Sequence, residues 1–282
     1  MILVYTIRVN IKRKNVVASF DFVESTSRAY RFVWDRRVDV VRFSAMVLVL
    51  KILFFVGFVA FDIQKEALRQ GLLLLPIFFM EGWVIATLVI MALHAYEAQS
   101  KVRRSILPPA EDTARNIKAS MIVYVLIKLM LSFVVGSAYE GQQVIPDAPP
   151  PEPNLQTFVL AVVMIAFLIW AFRFLWIYIP VVMGQSVRTY LIRFRAYSDS
   201  FPLLGVWVLC FVPVILFMIL ISEFYGMIMG GLGVGDSSIV FETGMAVIQA
   251  FIDFVLSLVS SLAVAYGMYS VFNNENKKTD IW

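Results

Sequence analysis

Four residues that can carry or exchange a charge fall in the middle of otherwise apolar stretches: Lys51, Glu81, Lys128 and Asp253. At a rise of about 1.5 Å per residue, Lys51 and Lys128 lie about 12 Å in from one face of a bilayer. On the same measure Glu81 lies about 13 Å, and Asp253 about 12 Å, from the other face. All four fall within about one helical turn of the midplane. An ionisable group at that depth is costly, faces protein or water, and is a functional candidate by default. Two of the four are cations and two are anions, so the set can neutralise itself. Two chemistries follow. Glu81 or Asp253 titrating against Lys51 or Lys128 would make a proton or ion relay, and the chain a small transporter or channel. Static pairs, or lysines snorkelling alone, would serve to hold helices together. A transporter usually adds helices broken at matching positions or a polar substrate cavity. Pro76 and Pro180 stand near stretch ends and Pro213 alone is internal, so a structural role, by pairing or snorkelling, is the expectation.

Arg173 differs from these four. It stands near the end of its stretch among Trp170, Phe172 and Trp176, where a long side chain reaches the headgroups. Arg173 and Trp176 are therefore expected as interfacial anchors.

Other chemistries find no residues. There is one histidine, His94, and one cysteine, Cys210. An internal disulfide and a thiolate metal cluster are excluded, and zinc or di-iron sites lack their ligands. The chain has no phosphate-cradling Gly-Lys-Ser/Thr loop, no Gly-x-Ser-x-Gly elbow and no His-Glu-x-x-His helix. No catalytic residue, cofactor or metal is expected.

The elements that position the four charges are six apolar stretches, at about 43–61, 72–96, 120–138, 155–183, 202–222 and 245–272. Each matches the roughly 20 residues of helix needed to cross a hydrocarbon core about 30 Å thick. Hydrophobic residues make up 60% of the 282 and charged ones 16%, which leaves little for a soluble domain. The first stretch begins late enough to read as an uncleaved span.

The linkers alternate in charge. The N-terminal segment carries Arg8, Lys12, Arg13, Lys14, Arg28, Arg31, Arg36, Arg37 and Arg42. Linker 97–119 holds Lys101, Arg103, Arg104, Arg115 and Lys118, linker 185–201 holds Arg188, Arg193 and Arg195, and the tail ends with Lys277 and Lys278. Between them, linkers 139–154 and 223–244 carry acids and no base. By the positive-inside rule both termini are cytoplasmic. The net charge of +4 follows from this topology and from anionic headgroups, so no nucleic-acid partner is expected.

Residues 21–37 predict an amphipathic helix. Asp21 and Glu24 have capping-box spacing. Glu24, Arg28, Arg31 and Asp35 form a polar stripe, and Phe22, Val23, Ala29, Tyr30, Val33 and Trp34 the opposite face. An aromatic face flanked by arginines suits a helix lying in the membrane interface, anchored by Arg28, Arg31 and Trp34. Packing on the protein's own loops is the alternative. Pro108-Pro109 followed by Glu111 and Asp112 predicts that the third helix starts before the membrane. Pro146 to Pro153 predicts an extended strap. The run Gly226 to Gly235 has GxxxG spacings that suit either close helix contact or a flexible loop.

Ser27-Arg-Ala-Tyr-Arg-Phe-Val-Trp-Asp-Arg-Arg-Val-Asp-Val-Val-Arg-Phe43 resembles the opening of a group of uncharacterised bacterial inner-membrane proteins. Phe172-Arg-Phe-Leu-Trp-Ile-Tyr-Ile-Pro180, with Arg188 to Pro202, is similar to the middle of that group. The pattern also occurs in the membrane domain attached to some glycerophosphodiester phosphodiesterases. Their catalytic domain needs paired histidines and acidic metal ligands, so no catalytic residue carries over. The resemblance implies a bacterial inner-membrane protein.

The expectation is an all-α polytopic membrane protein with six transmembrane helices and an N-terminal amphipathic interfacial helix. It divides into a cytoplasmic segment at 1–42, a membrane domain at 43–272 and a tail at 273–282. The expected role is non-catalytic and accessory, acting through a membrane-protein partner or through anionic lipid headgroups.

Overall fold

A computed structural model describes residues 20–63, 66–100, 105–140, 155–235 and 238–279 of the chain. The basic run at 12–14 and the proline strap at 146–153 lie outside them. The described residues are helical, with no strand among them. Six helices are long and apolar enough to span a bilayer. Span one is Arg37–Ala60, span two Leu75–Ser100, span three Ala110–Glu140, span five Ser200–Gly231 and span six Ile239–Thr279. Span four is composite. Helix Leu155–Ala171 passes through a 3₁₀ turn, Phe172–Trp176, into the short helix Tyr178–Val182. The chain is an integral membrane protein of the all-helical class.

The ends of the spans follow local chemistry. Span three begins at Ala110, directly after Pro108-Pro109, with Glu111 and Asp112 in its first turn. There the prolines cost no hydrogen bond and the acids meet the positive end of the helix dipole. Span five runs through Pro213 and continues to Gly231, so Gly226 and Gly230 are helical and not part of a loop. The break before span one falls at Arg36. The basic segment therefore hands over earlier than position 42, and Arg42 lies within the span.

Burial is uneven. The most apolar windows of spans two and six are 61% and 56% buried, against 17% for that of span five. Span six packs on spans one, two and five and on the N-terminal helix, and is the post around which the bundle is built. Span five packs along span six, yet it and span four turn much of their apolar surface outward. Phe158, Val163, Ile165, Phe167, Leu216 and Leu220 are all exposed and present their apolar surface outward.

The N-terminal helix is Phe22–Asp35. Asp21 caps it, accepting from the backbone N–H of Val23 at 3.0 Å and of Glu24 at 2.9 Å. Glu24 pairs with Arg28 and does not return the bond as a capping box would. The expected aromatic face divides between bundle and surroundings. Ser25, Thr26, Ala29 and Phe32 are buried against spans five and six, while Phe22, Val23 and Trp34 are exposed. Phe22 still touches span five at one edge, its ring 3.3 Å from where a Cβ on Gly205 would stand. Tyr30 donates to the Cys210 carbonyl at 3.0 Å. Burial and the neighbouring Cys210 push the Tyr30 hydroxyl up to about 12. Arg28 is committed to protein contacts, stacked 4.4 Å over the Tyr96 ring. Arg31 and Trp34 remain exposed.

Candidate functional site

Each of four spans contributes one charge to a single cluster. In span one the buried positions Val40, Ser44, Val47, Lys51 and Phe58 form one stripe at helical spacing, and Lys51 is in register with it. Span two is buried on several sides, so Glu81 is enclosed. Span three presents Ser120, Tyr124 and Lys128 at intervals of one turn. Span six supplies Asp253 and, a turn further along, Ser257.

The four side chains alternate in sign. Lys51 Nζ donates to Glu81 Oε2 at 2.9 Å and lies 2.5 Å from Asp253 Oδ2. Lys128 Nζ lies 3.8 Å from Glu81 Oε1 and 3.9 Å from Asp253 Oδ1. Each cation therefore faces both acids, and each acid both cations. Tyr124 donates its hydroxyl proton to Glu81 Oε1 at 2.7 Å, and Lys128 donates to Ser257 Oγ at 3.1 Å. The Tyr124 contact depends on Gly82. A Cβ there would stand 3.0 Å from Tyr124 Cδ1, so a larger residue would make the ring give way by a few tenths of an ångström. Buried charges persist where they are paired and their remaining lone pairs and protons are satisfied, and Glu81 meets both conditions.

The set is not uniformly enclosed. The side chains of Lys51 and Glu81 are 1% and 0% exposed, that of Lys128 19%, and that of Asp253 43%. From Ser257 a polar thread continues along span six. Ser261 donates to the Ser257 carbonyl, and its hydroxyl lies 2.7 Å from Tyr178 Oη. Ser120 donates to the Tyr178 carbonyl at 2.9 Å. The thread thus ties spans three, four and six.

Sequence reading named the four charges and missed Tyr124, Ser257 and Tyr178. Their hydroxyls cost little in a hydropathy profile. The available signal was spacing, since Tyr124 precedes Lys128 by one turn and Ser257 follows Asp253 by one turn.

Arg173 and Trp176 require correction. Both are buried among protein groups and are not extended into the surroundings. The Arg173 guanidinium donates to the Phe194 carbonyl and, at 3.0 Å, to that of Arg195. It caps the end of helix Val187–Arg193, where unpaired carbonyls and the helix dipole favour a cation. Trp170 lies under it, 4.4 Å from the guanidinium carbon to the ring centroid. Tyr190 closes the loop by donating to the Arg173 carbonyl at 2.7 Å. Trp176 packs on Phe172 and Tyr178.

His94 is half exposed and lies 3.9 Å from Glu97 Oε2. Glu97 is the busier residue, accepting from Tyr269 at 2.7 Å and from Ser105 at 2.7 Å. It latches the ends of spans two and six together. Among the described residues no group of His, Cys, Asp and Glu could hold a metal ion.

Two cavities flank the bundle. One of about 580 Å³ lies between the N-terminal helix and the end of span two, lined by Arg28, Arg31, Asp35, Tyr96 and Gln99 among others. The second, of about 370 Å³, lies toward the opposite face between spans one and six, with Gln70 at its wall. No family model, no curated protein and no solved structure matches this chain.

Proposed function

We propose that this chain is a non-catalytic component of a bacterial inner membrane, with both termini cytoplasmic, that acts through protein partners or lipids. The observation that carries this reading is the closure of the charge cluster. Two cations and two anions face one another, Lys51 and Glu81 are fully buried, and Tyr124 and Ser257 take up further bonds. A group already held this way by opposite charges is a clasp between spans one, two, three and six. It supplies rigidity and leaves broad apolar surfaces on spans four and five for a membrane-protein partner. Arg31 and Trp34, exposed beside the basic segment, suit contact with anionic headgroups.

The test is reconstitution. Vesicles holding the purified protein should show no proton or cation flux above empty vesicles. Glu81→Gln and Asp253→Asn should lower thermal stability in detergent. Normal stability of both amide variants, together with a pH-dependent flux that they abolish, would reject the clasp and establish transport.

Transport is the second reading because of the 43% exposure of the Asp253 side chain, which leaves one member of the cluster open on one side.

A further inference from the structure

The open side of Asp253 lies at a depth where hydrocarbon is the default surrounding. A carboxylate facing lipid tails is strongly disfavoured, so the opening faces water or protein. The residues around it favour water. On span six, Gln249 and Glu242 stand 4 and 11 residues before Asp253, which places all three on one helical face. Gln249 and Glu242, with Gln70, Met245, Phe55 and Phe58, line the cavity of about 370 Å³. Such a space holds several waters, and its polar lining can bind them. Its deepest residues, Phe55 and Gln249, are each one turn above Lys51 and Asp253.

The other direction is sealed. Below the cluster Val47, Ile85, Leu88, Leu258 and Leu262 are buried and apolar, and the hydroxyls of the thread, Ser261, Tyr178 and Ser120, are themselves buried and bonded within the protein. Access is therefore one-sided, from the face that carries the acidic linkers. Among the described residues of that lining, Glu242 is the ionisable one. A carboxylate in a low-dielectric mouth concentrates cations and repels anions.

We propose that this vestibule is a hydrated half-channel that leads water and small cations from the acidic-linker face to Asp253 and ends there. The inference goes beyond the accessory role, since a wet approach to the cluster requires no net flux. Flux in vesicles decides the one, and side-chain accessibility decides the other.

The experiment replaces Cys210 with serine and introduces single cysteines as Met245→Cys, Gln249→Cys and Phe251→Cys. Phe251 lies at nearly the depth of Gln249 on another, exposed face of span six. Each variant is exposed in sealed vesicles to a membrane-impermeant quaternary-ammonium methanethiosulfonate, added to one side at a time. Thiols react as thiolates, which need water. Gln249→Cys and Met245→Cys should react at least about tenfold faster than Phe251→Cys, from the acidic-linker face alone, and faster with the cationic reagent than with its sulfonate counterpart. Glu242→Gln should narrow that charge preference. Depth is read from Asp253→Cys combined with Lys51→Met, which keeps the remaining Glu81 and Lys128 balanced and should react from the same side. Slow reaction at Gln249→Cys and Met245→Cys in folded protein overturns the proposal, as does reaction from the basic-linker face. A reactive Gln249→Cys beside an inert Asp253→Cys, Lys51→Met protein also overturns it, because the vestibule would then stop above the cluster. If the double variant does not accumulate, the first two positions decide.

Discussion

At the scale of single residues the cluster makes a claim about coupling. Removing one member leaves three charges, and the odd one is stranded in a medium that cannot solvate it. A truly buried pair broken this way costs about 3–5 kcal/mol, whereas removing both partners recovers much of the loss. Glu81→Gln should therefore lower the melting temperature sharply, because Glu81 is fully enclosed between two lysines. Lys51→Met should do the same. The double variant leaves Lys128 facing Asp253 at 3.9 Å and should melt well above either single variant. Additive losses in that cycle, measured by thermal unfolding in one detergent, would show that Lys51 and Glu81 do not act as a pair. The four charges were legible in the sequence because ionisable residues are rare in apolar stretches. Their mutual approach was not, because it depends on how each span is rotated, and hydropathy carries no phase. Arg173 shows the converse. Its position near a span end read as an anchor, but the segment ending at Arg195 folds back and its carbonyls take up the guanidinium.

At the scale of elements, glycines of one composition serve opposite ends. Gly82 lets the Tyr124 ring lie against span two, with added-Cβ contacts of 3.0 and 3.3 Å. Gly226 has nothing within 4 Å. Gly82→Ala must push the ring away, which costs about 1–3 kcal/mol for an overpacked contact and withdraws the hydroxyl from Glu81. Gly226→Ala meets open space and gains up to about 1 kcal/mol from helix propensity. Thermal melts of the two variants should move in opposite directions. A stable Gly82→Ala protein would mean that spans two and three can separate without cost. The GxxxG run was visible in the sequence, but spacing alone did not say which glycines are contacts. The one that matters here, Gly82, belongs to no such run. The N-terminal helix was legible through its cap and period. The face it buries was not part of that reading: Ser25, Thr26, Ala29 and Phe32 pack against spans five and six.

At the scale of the molecule, hydropathy and burial part company. Span five has the highest mean hydropathy, 2.9, and its window is 17% buried, while span two at 2.0 is 61% buried. Hydropathy reports what lipid tolerates. Spans two and three share a mean hydropathy of 2.0, yet their windows are 61% and 17% buried, so hydropathy does not decide which span lies at the centre. The six spans and their order were therefore readable, and the arrangement around span six was not. One side of the molecule is knit by the segments that carry the basic linkers. Phe20 packs on Gly267 and edge-on against Phe194, Arg193 donates to the Val271 carbonyl at 2.9 Å, and Tyr269 bonds Glu97. The N-terminal helix, the ends of spans two and six and the linker after span four thus share one face. The charge excess there fixes orientation only through insertion, in which arginine and lysine close to span ends are held back in the cytoplasm. Nine bases lie in residues 1–42 and five in linker 97–119, while the linkers at 139–154 and 223–244 have none. A reporter active only in the cytoplasm should therefore work when fused after Trp282 or within 101–118, and one active only in the periplasm within 141–153. Because an even number of spans separates the first two sites, they must agree with each other whatever the orientation. Disagreement between them would reject six spans. Agreement with the opposite sidedness would keep the fold and reverse the orientation, leaving the vestibule above Asp253 open to the cytoplasm.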